Sequence, residues 1–136
     1  MKYAHRKPIE VICGIVIKDR EVLVAQRSFY MKMPLKWEFP GGKKDENESD
    51  ISCLEREIFE ELNIRIAVGR KFHTSYYDYG EFQINLTAYL ATYVEGTLLL
   101  IEHKRAEWLR REELPKLNWA EADIPIVDAL LLSGQI

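Results

Sequence analysis

Glu57, Glu60 and Glu61 stand three and four residues apart in the run CLEREIFEEL. If that run is helical, the three carboxylates share a face. Like charges so placed cost ~0.2–0.5 kcal/mol per pair on an isolated helix. A hard divalent cation, which takes several carboxylate oxygens at once, is a direct way to offset that cost. A solvated acidic face is the plainer alternative. Arg56 stands four residues before Glu60. Its guanidinium fork suits bidentate carboxylate contacts, which makes it an orienting partner for the carboxylates rather than a substrate group. Upstream, an acidic loop carrying Glu48 follows the glycine pair Gly41-Gly42 and Lys43.

These side chains need a helix to hold them. Ser49 or Asp50 can cap its start, and Ile51, Leu54, Ile58 and Leu62 recur at helical spacing as its core face. In front of it, Met1 to Pro8 is a polar lead-in. Ile9 to Ile17 is almost continuously apolar and rich in β-branched residues, which suits a strand buried on both faces. Lys18-Asp19-Arg20 turns the chain into a return strand, Glu21 to Gln26, and Ser28 to Lys36 is a loop. Beyond the helix, Ile64 to Val68 and Lys71 to Tyr77 read as strands. A turn around Gly80 leads to a long return strand, Phe82 to Val94. Gly96 to Ile101 is a further strand candidate, and Arg111 to Leu114 is a helical turn ended by Pro115. Asn118 to Leu132 forms a terminal amphipathic helix, near whose start Asp123 can act as cap with Pro125 in the first turn. A strand-rich chain with one internal and one terminal helix predicts an α/β fold, an α/β/α sandwich around a central mixed β-sheet.

At 136 residues the chain is read as one domain, 1–136. Its net charge of −3 argues against a nonspecific nucleic-acid binder, which needs a basic surplus. A free nucleotide stays open, because a bound metal inverts local electrostatics. No apolar run is long enough to span a membrane and no signal peptide is evident, so a cytoplasmic protein is expected. Cys13 and Cys53 read as small buried hydrophobes.

The stretch Gly42 to Ile64 resembles the Nudix box, G-x5-E-x7-R-E-U-x-E-E-x-G-U with U a bulky aliphatic. Gly42, Glu48, Arg56-Glu57-Ile58, Glu60-Glu61 and Ile64 match it in order. Asn63 replaces the late glycine. Asparagine is the next most tolerant residue for the left-handed backbone that often follows a helix, so the carboxylates should keep their places. The lead-in WEFPGGK, Trp37 to Lys43, resembles that of MutT-type Nudix enzymes, and the likeness covers nearly the whole chain. It implies the Nudix fold, which is the same sandwich.

The resemblance further implies a Mg2+-dependent hydrolase, with Mn2+ as the alternative ion, that splits a nucleoside triphosphate into monophosphate and pyrophosphate. Metal ligands would be Glu57, Glu60, Glu61, the Gly41 carbonyl and Glu102, which opens a MutT-type segment ending at Trp108. Glu48 would support them from the edge through hydrogen bonds to Arg56 or water, and the attacking water's proton would pass to Glu60, Glu61 or Glu102. Arg27 and Lys43 are candidate phosphate cations, and Glu38 is a candidate for the ribose. His103 is read as a surface residue. Tyr79 matches the aromatic near the base, although the cluster Tyr76, Tyr77 and Tyr79 also suits cross-strand packing. Asp123 matches the position that reads the base, where the family's 8-oxoguanine readers tend to have asparagine and enzymes of cytosine nucleotides aspartate. An ionised aspartate only accepts hydrogen bonds and cytosine presents an amine donor. That favours CTP or a modified dCTP, while guanine, as in 8-oxo-dGTP, also presents donors.

The expected partner is a nucleotide, neither a nucleic-acid polymer nor a membrane, with the chain a monomer or homodimer. Other Nudix specificities compete: the tyrosine cluster keeps dinucleoside polyphosphates open. The absence of proline between Pro40 and Pro115 and of an SQPWPFP-like tract weakens the ADP-ribose and NADH readings. A non-catalytic Nudix-fold binding module is disfavoured because such modules typically lose box carboxylates, which all remain here.

Overall fold

A computed structural model describes residues 7–136. The polar lead-in expected over Met1 to Pro8 lies, save for its last two residues, outside them. The strands are β1 (Ile9–Lys18), β2 (Glu21–Gln26), β3 (Trp37–Glu38), β4 (Gly41–Lys43), β5 (Arg65–Asp78), β6 (Gln83–Glu95) and β7 (Arg105–Leu109). The helices are α1 (Asp50–Leu62) and α2 (Ile124–Ser133). The sheet runs β3-β2-β1-β6-β5, with β4 added to β1 and β7 to β2. Only the β1–β6 pair is parallel among these, so the sheet is mixed.

Side chains alternate across a strand, and that alternation sets the layers. Along β1, Cys13 and Ile15 turn to one face and join Ile126, Val127 and Leu130 of α2. Ile12 and Val16 turn to the other and join Leu54, Ile58 and Leu62 of α1. Both faces are covered, which gives the α/β/α sandwich and accounts for the continuous apolar run of β1. Leu54, Ile58 and Leu62 are fully buried. At ~1.5–3 kcal/mol for each such side chain, their burial outweighs the carboxylate repulsion on the same helix.

Several elements differ from the sequence reading. Ile51 is 45% exposed, and Cys53 takes its place in the buried face of α1. The reason is β4, which covers the Cys53 side of the first turns: the Cys53 thiol lies 3.5 Å from the Lys43 carbonyl oxygen. The two expected strands after α1 are one strand, β5, carried through irregularities between Val68 and His73. Gly96 to Ile101 is not a strand. Its backbone instead caps α1: Leu99 and Ile101 donate their N–H groups to the carbonyls of Leu62 and Glu61, at 3.0 and 3.3 Å, meeting acceptors that a helix end leaves open. Strands β3, β4 and β7 were not expected. The turn after β7 is a 3-10 helix, Arg111–Lys116, that runs through Pro115. The terminal helix begins at Ile124 rather than Asn118, because residues 118–120 lie extended beside Trp37, with hydrogen bonds of 2.9 Å from Trp37 N to Asn118 O and from Ala120 N to Trp37 O.

Candidate active site

Helix α1 starts at Ser49, whose Oγ accepts from Ser52 N at 3.1 Å. It ends at Asn63 in the left-handed conformation, φ 62°, so asparagine does serve at the position where the box has glycine. On its outer side Arg56 is a hub. Its Nε and Nη2 grip both oxygens of Glu48 at 2.7 and 2.9 Å, and its Nη1 meets Glu57 Oε1 at 3.0 Å and Glu60 Oε2 at 3.2 Å. The bidentate grip holds the Glu48 carboxyl down at about 2 and raises the Arg56 guanidinium further.

The three box carboxylates do not all point one way. At about 100° per residue, Glu61 lies about 40° from Glu57 on one side and Glu60 about 60° on the other. Glu57 and Glu61 consequently line one cavity of about 430 Å³, whereas Glu60, with 57% of its side chain exposed, leans on Arg56 outside that lining. Gly42 makes room for Glu57: a Cβ there would fall 2.3 Å from the Glu57 carboxyl. Gly41 lets β4 close on β1, since its Cβ would meet the Ile12 carbonyl oxygen at 2.0 Å. Both glycines thus serve close packing within the chain. Burial raises the Glu57 carboxyl above the usual range. Burial first, then the charges of Glu57, Glu38 and Glu102, push Glu61 up to about 8. Glu61 Oε2 is buried with no hydrogen-bond partner.

Across the cavity, Glu38 on β3 is held from both sides. Arg27 Nη1 lies 2.8 Å from its Oε1 and His103 Nε2 lies 2.8 Å from its Oε2. Both Arg27 and Glu38 line the cavity as a closed pair rather than as separate phosphate and ribose contacts. His103 is a correction: its side chain is 1% exposed, tucked in front of β7, not on the surface. Glu102 beside it is exposed and outside the cavity lining, although its charge still reaches Glu61. Lys43 is exposed at the cavity wall.

Asp123 is buried and caps nothing: its own backbone is helical and its carboxylate makes no cap hydrogen bond. Instead Oδ2 accepts from Phe39 N at 2.9 Å. Burial, then the charge of Glu38, raises its pKa well above the carboxylate range. Tyr79 steadies the same segment, its hydroxyl accepting from Ala122 N at 3.0 Å, and burial pushes that phenol up to about 12. Its ring lies 5.3 Å from Phe82 at 26°. Phe82, Met31 and Met33 also wall the cavity, whereas Tyr76 and Tyr77 do not. One cavity of about 430 Å³ thus joins Glu57 and Glu61 to Tyr79, Phe82 and Asp123. Sequence reasoning missed Phe82, Met31, Met33 and His103. Position next to the turn at Gly80 was the only signal available for Phe82.

Residues 8–130 match the model of the NUDIX domain. The chain belongs to the Nudix family. It is a Nudix hydrolase, and it is similar to the CTP pyrophosphohydrolase of Escherichia coli K12, 35% identical over 92% of this chain and 93% of that protein. It is also similar to the 8-oxo-dGTP diphosphatase of Buchnera aphidicola subsp. Schizaphis graminum, 29% identical over 96% and 95% of the two chains. The solution structure of the MutT protein of methicillin-resistant Staphylococcus aureus 252, a Nudix hydrolase, superposes with a TM-score of 0.76 at 44% identity, covering 95% of this chain and 99% of that one.

Nudix hydrolases generally use divalent metals. Among the described residues no three His, Cys, Asp or Glu side chains converge as a ready cage. The donor chemistry nevertheless fits such an ion. Glu57 and Glu61 supply hard oxygens, both carry raised pKa values, and Glu61 Oε2 is buried without a partner. Cys13 and Cys53 are free and buried; burial, then the Glu48 charge, pushes the Cys53 thiol up to about 12, and burial raises the Cys13 thiol as well, which favours the unreactive thiol form. Among the described residues, no helix is long and apolar enough to cross a membrane.

Proposed function

We propose that this Nudix hydrolase is a MutT-like nucleoside triphosphate pyrophosphohydrolase, cleaving CTP or a modified or oxidised dNTP to the monophosphate and pyrophosphate. The observation that carries the reading is the single cavity that puts the acidic pair Glu57 and Glu61 in one space with Tyr79, Phe82 and Asp123. A cavity of about 430 Å³ suits one nucleotide. Mg2+, or Mn2+ in its place, is the metal assigned to Glu57 and Glu61, with the Gly41 carbonyl, Glu60 and Glu102 as further donors. When bound, such an ion neutralises charge developing on the phosphates and supports in-line attack by water.

The chain's own residues supply the rest. Glu48 fixes Arg56, and Arg56 holds Glu57 and Glu60 in place. Lys43 meets the phosphates at the cavity wall. Of the three candidate proton acceptors, Glu61 alone lines the cavity, and its carboxylate is the group we assign to receive the proton of the attacking water. Tyr79 and Phe82 flank the base. Asp123 keeps Oδ2 on Phe39 N and leaves its other oxygen for the base edge; in the ionised form, which burial disfavours, that oxygen accepts from an exocyclic amine such as that of cytosine. The 35% identical CTP pyrophosphohydrolase supports a preference for cytosine.

A magnesium-supplemented screen over canonical, oxidised and methylated (d)NTPs, ADP-ribose and dinucleoside polyphosphates, with products identified, tests the reading. Pyrophosphate and a monophosphate in equal amounts from a triphosphate are expected. Turnover confined to ADP-ribose or to a dinucleotide would overturn it.

A further inference from the structure

His103 presents two ring nitrogens to two carboxylates on different elements. Nε2 lies 2.8 Å from Glu38 Oε2, on β3. Nδ1 is buried and has no hydrogen-bond partner. The group it faces is Glu61 Oε2 on α1, 4.0 Å away, which is also buried and has none. Buried polar atoms are normally paired, and two orphans facing each other are an exception that asks for a cause. The gap is too long for a hydrogen bond, yet a shift of about 1 Å by the carboxylate closes it. On the far side, Glu38 Oε1 holds Arg27 at 2.8 Å. Arg27, Glu38, His103 and Glu61 therefore form a chain, broken at one link, that runs from the end of β2 through β3 and the segment before β7 to α1.

We propose that His103 is a positioning residue for Glu61: with both ring nitrogens protonated, Nε2–H donates to Glu38 and Nδ1–H closes on Glu61 Oε2 when a nucleotide occupies the cavity, fixing Glu61 to the Glu38–Arg27 pair on the opposite wall. This accounts for a ring buried between two carboxylates, 2.8 Å from one and 4.0 Å from the other. It deepens the hydrolase reading and rests on that reading only in its kinetic test.

The first test needs no activity and no change at His103. In metal-free, 15N-histidine-labelled full chain, the ring signals of His103 are assigned by elimination with His5→Asn and His73→Asn. Glu61→Gln is expected to move the Nδ1 signal and leave Nε2 in place, and a non-hydrolysable nucleotide triphosphate analogue is expected to move Nδ1 in the wild type. An Nδ1 signal indifferent to both overturns the proposal. The second test is kinetic. Asparagine puts its amide near the place of Nδ1, glutamine near that of Nε2. If His103 acts on Glu61, His103→Gln loses roughly a hundredfold in kcat with little change in KM, the scale expected for a reacting group misplaced by about 1 Å, and His103→Asn retains more. The reverse ranking would mean that His103 merely holds Glu38, and equal losses would mean general loosening; either refutes the proposal. Should a variant fail to melt cooperatively, the labelled wild type and Glu61→Gln decide alone. If no triphosphate is turned over, the hydrolase reading falls while the resonance test still stands.

Discussion

Gly42→Ala offers the sharpest test of how the carboxylates are placed. The new Cβ would lie 2.3 Å from both Cδ and Oε2 of Glu57 and 2.8 Å from its Cγ. Carbon contacts settle at about 3.5–4 Å, so the carboxyl must retreat by more than about 1 Å. It is the end of a flexible side chain, and it can retreat by changing rotamer. The retreat breaks the 3.0 Å bond from Arg56 Nη1, at ~1.5–3 kcal/mol for a charged hydrogen bond. The lower entropy of the unfolded alanine chain offsets ~0.4–1 kcal/mol of that. The net loss of stability is therefore about 1–2 kcal/mol, whereas turnover should fall roughly a hundredfold, the usual penalty for a 1 Å misplacement.

Gly41→Ala is the matched control. Its Cβ would meet the Ile12 carbonyl oxygen at 2.0 Å and Cys13 Cα at 2.6 Å. Those atoms are backbone of β1 and cannot rotate away. Relief requires β4 to leave β1, abandoning the pairs Val11–Lys43, Ile12–Gly42 and Cys13–Gly41. Stability should drop by ~3 kcal/mol or more. Pyrophosphate release at saturating Mg2+, measured beside circular-dichroism melts, separates the two. The reasoning fails if Gly42→Ala keeps turnover within tenfold of the wild type, or if it melts as low as Gly41→Ala.

Other outcomes follow from the same geometry. Glu61→Gln should cut turnover at least roughly a hundredfold with the fold intact. Its carboxyl sits at about 8 in the fold against 4.5 ordinarily, so the folded chain keeps a proton that the unfolded chain releases. Metal-free stability of the wild type should therefore fall as pH rises from about 4.5 towards 8, and Glu61→Gln should flatten that fall in melts across the range. Adding a divalent cation at pH near 8 should raise the wild-type melting temperature more than that of Glu61→Gln. Asp123→Asn preserves an oxygen for Phe39 N and should change the ranking among bases more than overall activity; kinetics over a nucleotide panel that show a uniform loss would mean that the residue only ties α2 to β3. Tyr79→Phe removes the acceptor of Ala122 N. It should cost ~1–3 kcal/mol in denaturant titrations and raise KM more than it lowers kcat.

The box helix was legible because its signals are local. Its cap, its apolar stripe and the Arg56–Glu60 pair are all set within a few residues, and 3.6-residue periodicity carries them. Even there, spacings of three and four do not make one face: Glu60 and Glu61 are about 100° apart and part company, one to Arg56 and one to the cavity. The strands that failed were the short ones, β3 and β4 on either side of Pro40 and β7 after a charged run. None has a pattern of its own, and each exists because β1 or β2 offers it an edge. Gly96 to Ile101 misled in the opposite way, since an apolar β-prone run found its hydrogen bonds at a helix end instead of a sheet.

The cavity was less legible, because it is built from contacts between residues far apart in sequence. Asp123 illustrates the point. By its neighbours it is a helix cap followed by a proline, and nothing local tells that its carboxylate turns back to Phe39 N, 84 residues away. Yet that one bond ties the residue proposed to read the base to the strand that carries Glu38, and Glu38 in turn touches Arg27 and His103. On the proposed assignment, base choice and the positioning of Glu61 share a short backbone segment, Glu38-Phe39. A substitution that shifts β3 should disturb both together, whereas one in the box should disturb the chemistry alone. On that assignment the box leaves selectivity to a strand whose register is set by β2 and by the extended segment before α2.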